Sequence, residues 1–407
     1  MRTRGGFLRS VAAVSAVFAG AGRPARAAAP RVTLGDDAFV KSEWRELRGR
    51  AIGIVTNPSG VLSTGESVVD AVHRNPRVAV KALFGPEHGI RGVAGAGQTV
   101  ASGTDDRTGL PVHSLYGATR KPTEAMLDGI DVMVFDIQDV GARPYTYVST
   151  MAYVMEACAQ YGKEMWVLDR PNPVGGVLID GPVLEPKYKS FVGLYPIPER
   201  HGMTVAELAR LFNERFGIGC ALHVVPMQGW SRDMVWADTG LHWVPTSPNM
   251  PYARTTLVYL ATGLVDEAGV NNGVGTDRPF EYAGGYGFDA AALRAALTAR
   301  SIPGVEFEPA DWSPVRGFWA GKTLRGVALN VVDPHAFPSV RTALEILCAA
   351  RAQGKFHVAH EAIMDRDWGT ARVRTMLLDG APPDAILETW QPGLRAFATL
   401  RETCLLY

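Results

Sequence analysis

Short apolar runs alternate with helix-period stretches through the first half of the chain, and this alternation confines it to an α/β fold. The runs are residues 51–56 (AIGIVT), 78–84 (VAVKALF), 111–116, 131–136 (DVMVFD), 164–169 (EMWVLD) and 221–226 (ALHVVP). Apolar residues at helical spacing fall between them at 66–74, 123–127, 147–161 and 204–216. Strands that are apolar on both faces and separated by helices read as βα units around a mostly parallel sheet. Thr204 followed by Glu207 has the spacing of a capping box at a helix start.

A Pro-rich stretch at 243–252 (WVPTSPNMPY) breaks this rhythm and reads as a crossing loop. Helical patterns follow at 257–266, 289–299, 340–352, 370–379 and 384–403, with strand-like pieces at 305–308 and 326–332. The expected organisation is a Rossmann-like α/β domain over 30–245 and a smaller α+β domain over 246–407. A chain of 407 residues is long enough for both.

The N-terminus carries an address. Arg2, Arg4 and Arg9 precede an apolar run from residue 11 to 21, and an Ala-rich stretch at 25–29 follows. Basic, apolar, then small is the order of a secretory signal peptide, expected here over residues 1–29. The apolar run falls short of the ~20 residues that span a bilayer. An exported protein, periplasmic or extracellular and without stable membrane insertion, is therefore expected. Lys plus Arg and Asp plus Glu both number 41, so nothing points to a nucleic-acid partner. The four cysteines, Cys158, Cys220, Cys348 and Cys404, form no C-x-x-C pair, which argues against a zinc site. Cys158 and Cys348 lie in apolar helical patterns and read as buried free thiols.

In open α/β sheets ligands bind beyond the carboxyl ends of the strands. Here each strand ends in a polar or glycine-rich cluster: Asn57-Pro58-Ser59-Gly60, then Gly85-Pro86-Glu87-His88-Gly89-Ile90-Arg91-Gly92, then Tyr116-Gly117, then residues 136–147 (DIQDVGARPYTY), then Asp169-Arg170-Pro171-Asn172. If the sheet is parallel, all converge on one rim. Glu87 sits in a tight loop that can shield a carboxyl from water, and such shielding raises a carboxyl pKa as a general acid requires. Asp136 and Asp139 are three apart, a pairing that suits acid/base work or equally an Asx turn or a helix cap. Asp169 can serve as a catalytic group or orient Arg170. Arg143 and Arg170 have the planar fork that matches a ligand carboxylate. His88, Arg91, Tyr145 and Asn172 complete the candidate ligand-facing set. His88, His201, Asp136 and Asp139 have no recognised metal-ligand spacing, so neither a metal nor another cofactor is expected. The glycines of 92–97 are in the wrong order for a dinucleotide fingerprint. Tyr147, Trp230, Trp236 and Trp243 are candidate stacking platforms for sugar rings or core aromatics.

Several longer stretches carry a family resemblance. Residues 84–92 (FGPEHGIRG), 135–147 (FDIQDVGARPYTY), 168–176 (LDRPNPVGG), 180–185 (DGPVLE), 201–204 (HGMT), Gly229-Trp230 and 246–251 (TSPNMP) resemble, in order, the NamZ-type exo-β-N-acetylmuramidases, formerly a domain of unknown function. The resemblance runs from about residue 53 to the C-terminus. It implies a Rossmann-like domain joined to a smaller one, with the site in the cleft between them. It implies hydrolysis of terminal, non-reducing N-acetylmuramic acid from peptidoglycan-derived oligosaccharides, with Glu87 as the leading catalytic residue. It adds His201, Asn249 and Glu281, which sit in matching segments. The chain departs at Val274, where the family pattern has arginine, and at residues 284–287 (GGYG).

The expected mechanism pairs Glu87 as general acid with Asp136, Asp139 or Asp169 as second carboxylate, or with the substrate's own acetamido group. Arg143 or Arg170 is expected to meet the lactyl carboxylate. Two other readings fit a two-domain cleft: an exported sugar- or muropeptide-binding protein without turnover, and a metal-dependent amide or ester hydrolase.

Overall fold

Ile, Val and Leu at alternating and consecutive positions make six strands that run parallel side by side, the central ones buried on both faces. This computed structural model describes residues 32–407 other than 93, 96 and 318; the expected signal peptide lies outside them. The strands are β1 (Ala51–Thr56), β2 (Ala79–Gly85), β3 (Gly103–Thr104), β4 (Pro111–Ser114), β5 (Val132–Asp136), β6 (Glu164–Leu168), β7 (Asp180–Val183), β8 (Pro198–Arg200), β9 (Ala221–Val225), β10 (Tyr282–Gly285), β11 (Val305–Trp312) and β12 (Leu324–Val331). The main sheet has the order β3-β4-β2-β1-β5-β6-β9. Only the short edge strand β3 is antiparallel in it. Every residue of β5, at its centre, is buried.

Alternation along the strands feeds two cores. Ile52, Ile54, Val132 and Val134 point to one face, where Val68, Val69 and Val72 of the helix Val68–His73 cover them with Phe39 and Trp44. Val55, Phe84, Met133 and Phe135 point to the other, against the helices Tyr147–Tyr161 and Val205–Glu214. This is the doubly wound arrangement the sequence pattern predicts. Thr204 accepts the Glu207 N–H while Glu207 returns a bond to the Thr204 N–H, so the capping box is formed. The patterned stretch at 123–127 is shorter than a helix: Glu124–Leu127 makes a single 3-10 turn.

The second half carries the antiparallel sheet β10-β12-β11, with the helices Ala253–Thr262, Ala290–Ala299 and Ser339–Ala352. Strand β10 has the sequence Tyr-Ala-Gly-Gly, which has poor strand propensity and was not foreseen. It forms because Gly284 pairs with Gly326 of β12 so closely that a Cβ on either would press on the other's Cα. The stretch read as one helix at 384–403 is two, Pro383–Glu388 and Gln391–Glu402. Pro392 lacks the N–H that a continuous helix needs, and sits in the first turn of the second. This last helix returns to the first half, where Phe397 joins the core beside Met203 and Phe212. The second core likewise takes in Val140, Ala142 and Val174 from the strand-end loops of the first half. No helix among the described residues is long and apolar enough to cross a membrane.

Candidate active site

Strand order reverses around β1: β2 lies on one side and β5 on the other. The loops leaving these three strands therefore part at the crevice where open α/β sheets bind ligands. Thr56 donates to the Asp136 carbonyl at 2.9 Å across the crevice, and the Gln138 N–H reaches the Ser59 hydroxyl at 3.0 Å.

Glu87 follows β2. The loop turns sharply behind it, with the Gly89 N–H returning to the Pro86 carbonyl at 2.9 Å and His88 held at a φ of 69°. A non-glycine residue in the left-handed region carries strain, and such strain gathers at functional sites. The turn separates neighbours. The buried His88 ring donates from Nδ1 to the Ala94 carbonyl at 2.8 Å, inside the loop. The half-buried Glu87 accepts from the Gly97 N–H at Oε1 and from the Thr146 hydroxyl at Oε2, each at 2.8 Å. Cavities of about 560 and 230 Å³ flank this loop and share Ile90, Arg91 and Arg107. Arg91 forks onto Asp105 at 2.9 and 2.8 Å, which ties the loop to the edge of the sheet.

The three aspartates differ in what holds them. Asp136 is fully buried and bound by Arg170 Nε at 2.6 Å, and burial raises its carboxyl against the pull of that arginine. Asp169 is also fully buried. Its oxygens accept from the Arg170 and Ala206 N–H groups at 3.0 Å, and from the Thr204 and Tyr407 hydroxyls at 2.8 Å. It anchors the start of the helix Val205–Glu214, and burial pushes it up to about 7. Asp139 makes an Asx turn, accepting the Gly141 N–H at 2.7 Å on Oδ2. Its Oδ1 has no hydrogen-bond partner among the described residues. His201 Nε2 stands 3.7 Å from Asp139 Oδ2. His201 Nδ1 accepts the Met203 N–H at 3.2 Å, so the ring proton sits on Nε2, facing Asp139. Neither Asp136 nor Asp139 caps the helix Tyr147–Tyr161; Thr146 occupies that position.

Arg143 and Arg170 bind carboxylates of the protein itself, not one of a ligand. Arg143 is 1% exposed; it pairs with Glu199 and donates to the carbonyls of Pro182, Ile197 and Asp367. Burial pushes its guanidinium down to about 9. Arg170 is 2% exposed and lies between Asp136 and Asp36, with Nη2 2.6 Å from Asp36. A ligand carboxylate would have to displace buried partners from either. Asn172 is buried as well, donating to the Met203 carbonyl at 3.0 Å. Gly141, at a φ of 81°, leaves room for its side chain: a Cβ there would strike Asn172 Oδ1.

Tyr145 and Tyr147 join the two halves. Their hydroxyls meet the Thr246 hydroxyl, at 2.7 Å, and the Thr246 carbonyl. Tyr145 packs edge-on to Tyr259, and Tyr259 edge-on to Phe280. Three residues beyond Thr246, Asn249 accepts from Arg316 at 2.6 Å. Glu281 is buried and clamps Arg254 and Arg278 at 2.9 and 2.7 Å. Trp230 and Trp236 are core residues packed on Tyr407 and Trp243. Sequence reasoning missed Asp36 and Thr146. Asp36 sits in a helix, Gly35–Lys41, too short for periodicity to reveal. No three His, Cys, Asp or Glu side chains among the described residues could together hold a metal ion.

Comparison with known proteins resolves the family. The N-terminal profile of the exo-β-N-acetylmuramidase NamZ matches residues 52–254, and its C-terminal profile matches 257–407. The chain belongs to the NamZ exo-β-N-acetylmuramidase family. It is 43% identical over 380 residues to the peptidoglycan β-N-acetylmuramidase NamZ of Bacillus subtilis strain 168, covering 93% of this chain and 92% of that one. Two crystal structures of DUF1343 family proteins from Bacteroides fragilis share the fold. One (BF0371) is 36% identical with a TM-score of 0.87, covering 93% of this chain and 99% of its own. The other (BF0379) is 29% identical with a TM-score of 0.73, covering 92% and 99%. The Glu87 loop, the Asp136–Tyr147 segment and the Thr246 loop all lie within the matched N-terminal NamZ region.

Proposed function

We propose that this chain hydrolyses the β-1,4 bond of terminal, non-reducing N-acetylmuramic acid in peptidoglycan fragments, with Glu87 as the general acid. The chain is a glycoside hydrolase of the NamZ family. The observation that carries the assignment of Glu87 is its position: it is a half-buried carboxyl at the strand-order reversal, aimed by Thr146 and Gly97. Glu87 gives its proton to the glycosidic oxygen as the bond to the anomeric carbon breaks, and water supplies the new hydroxyl. Asp139 is the candidate second carboxylate, because Asp136 is spent on Arg170 and Asp169 on a helix start. The reaction is placed outside the cytoplasm on the basic–apolar–Ala order of residues 1–29.

The test is chromophore release from para-nitrophenyl β-N-acetylmuramide, with the β-N-acetylglucosaminide as control. Wild type should cleave the muramide, and Glu87→Gln should lose about 10²–10⁴-fold in kcat while still binding the sugar. Sugar binding without turnover by folded wild type would replace this reading with that of a binding protein.

A further inference from the structure

Muramic acid differs from glucosamine by a lactyl ether that ends in a carboxylate. A site that prefers it needs an accessible cation near the cleaved bond. Arg143 and Arg170 are buried in pairs, Arg91 is forked onto Asp105, and Arg254 and Arg278 share Glu281. Arg120 is different. It is exposed, and among the described residues its guanidinium has no ion pair or hydrogen bond. Its guanidinium carbon stands over two aromatic rings, 4.2 Å from the Phe191 centroid and 5.4 Å from that of Tyr116. The Tyr116 and Phe191 rings are themselves 5.8 Å apart, and Phe191 stacks on Tyr153. The two rings therefore hold the guanidinium by cation–π attraction without engaging its N–H donors.

The platform also stands next to Glu87. Strands β2 and β4 are parallel neighbours with Gly85 opposite Ser114, so Glu87 and Tyr116 each emerge two residues beyond a paired position. The Glu87 carboxylate faces the Tyr116 hydroxyl and, after burial, helps push it up, while Arg120 pulls it down. The other carboxylate nearby, Glu156, is engaged by Lys121 at 3.4 Å and by the Tyr195 hydroxyl at 3.0 Å.

We propose that Arg120, held over Tyr116 and Phe191 beside Glu87, is the binding subsite for the carboxylate that marks a muramyl substrate. This rests on the function proposed above. The ligand chemistry is a carboxylate, taken edge-on by the guanidinium fork. Two sources supply one: the free lactyl group, or a stem peptide attached to it.

The experiment uses the full chain, with Arg120→Gln and Arg120→Lys made beside wild type and their folding checked by thermal melting. KM and kcat are measured on three para-nitrophenyl β-muramides: the free acid, its lactyl amide, and its lactyl-linked dipeptide. Arg120→Gln should raise KM about tenfold to a hundredfold on the carboxylate-bearing substrate that the site reads, with kcat changed little. Arg120→Lys should fall between, since it keeps the charge and loses the fork. Dependence on Arg120 for the free acid, lost with the amide, supports a lactyl carboxylate; dependence for the dipeptide alone supports a peptide carboxylate. An unchanged KM for both acids, or an equal change for the neutral amide, overturns the proposal. Calorimetric binding of free N-acetylmuramic acid separates the two levels. Failure of wild type to turn over any muramide strikes the activity, whereas loss of that binding in Arg120→Gln still reads the subsite.

Discussion

The Thr146 hydroxyl donates to Glu87 Oε2 at 2.8 Å, joining the first turn after β5 to the loop after β2. A side chain that only aims the catalytic carboxyl should affect the chemical step more than binding. Thr146→Val keeps the shape and removes the donor. It should lower kcat about tenfold on the muramide with KM unchanged, the worth of one hydrogen bond to a charged group. Thr146→Ser should keep most of the rate. A rise in KM alone would show that Thr146 contacts substrate rather than Glu87.

Arg170 holds two strand ends and the first helix together by binding Asp136 and Asp36, with all three side chains buried. Removing one member of such a group leaves charge buried without a partner, which costs about 3–5 kcal/mol. Arg170→Met should unfold at correspondingly lower denaturant, and Arg170→Met with Asp136→Asn should recover part of that loss. Equal midpoints for wild type and Arg170→Met in urea titrations would show that the cluster is not a structural tie.

The βα rhythm was readable because the central strands of the main sheet, β1 and β5, are apolar on both faces, and periodicity reports burial directly. The rim was readable too, since a parallel sheet sends every strand end to one side. What Asp136, Asp169, Arg143 and Arg170 do there was not readable. A fork that binds a ligand carboxylate and a fork that binds a buried aspartate have the same sequence. The partners that decide between them, Asp36 and Glu199, lie 134 and 56 residues away from their arginines. Arg120 escaped notice for the converse reason. Its platform is built from Tyr116, close in sequence, and Phe191, which reaches it only through the fold. Strand β10 was hidden because glycine pairing depends on close backbone approach, which apolar periodicity does not record.

The Tyr147 hydroxyl donates to the backbone carbonyl of Thr246, at the segment that leads into the second half. Tyr147 is fully surrounded by protein, and Tyr147→Phe leaves that carbonyl with only the longer bond from Asn57 Nδ2, at 3.4 Å, at a cost of about 0.5–1.5 kcal/mol. Because the same segment holds Tyr145 through the Thr246 hydroxyl, both stability and KM should worsen. Thermal melting together with muramide kinetics checks this. A destabilised variant with unchanged KM would mean that the Thr246 loop does not shape the substrate site.

Asp169 gives the stability of the chain a pH dependence of defined sign. Burial pushes its carboxyl up to about 7, against the bonds from Ala206, Tyr407 and Thr204 that draw it down. An unfolded aspartate releases its proton near ~4. Between these values the folded chain keeps a proton that the unfolded chain has lost, so folding weakens as pH rises. The contribution is complete below about pH 4 and is gone once pH passes the folded value. The urea midpoint of wild type should therefore fall on moving from acid to neutral pH. Asp169→Asn cannot titrate and should show a shallower fall, although it begins less stable because its amide group must face donors that now point at a carboxylate oxygen. Parallel pH profiles for the two proteins would place the proton elsewhere, with Asp169 ionised in its ring of four donors.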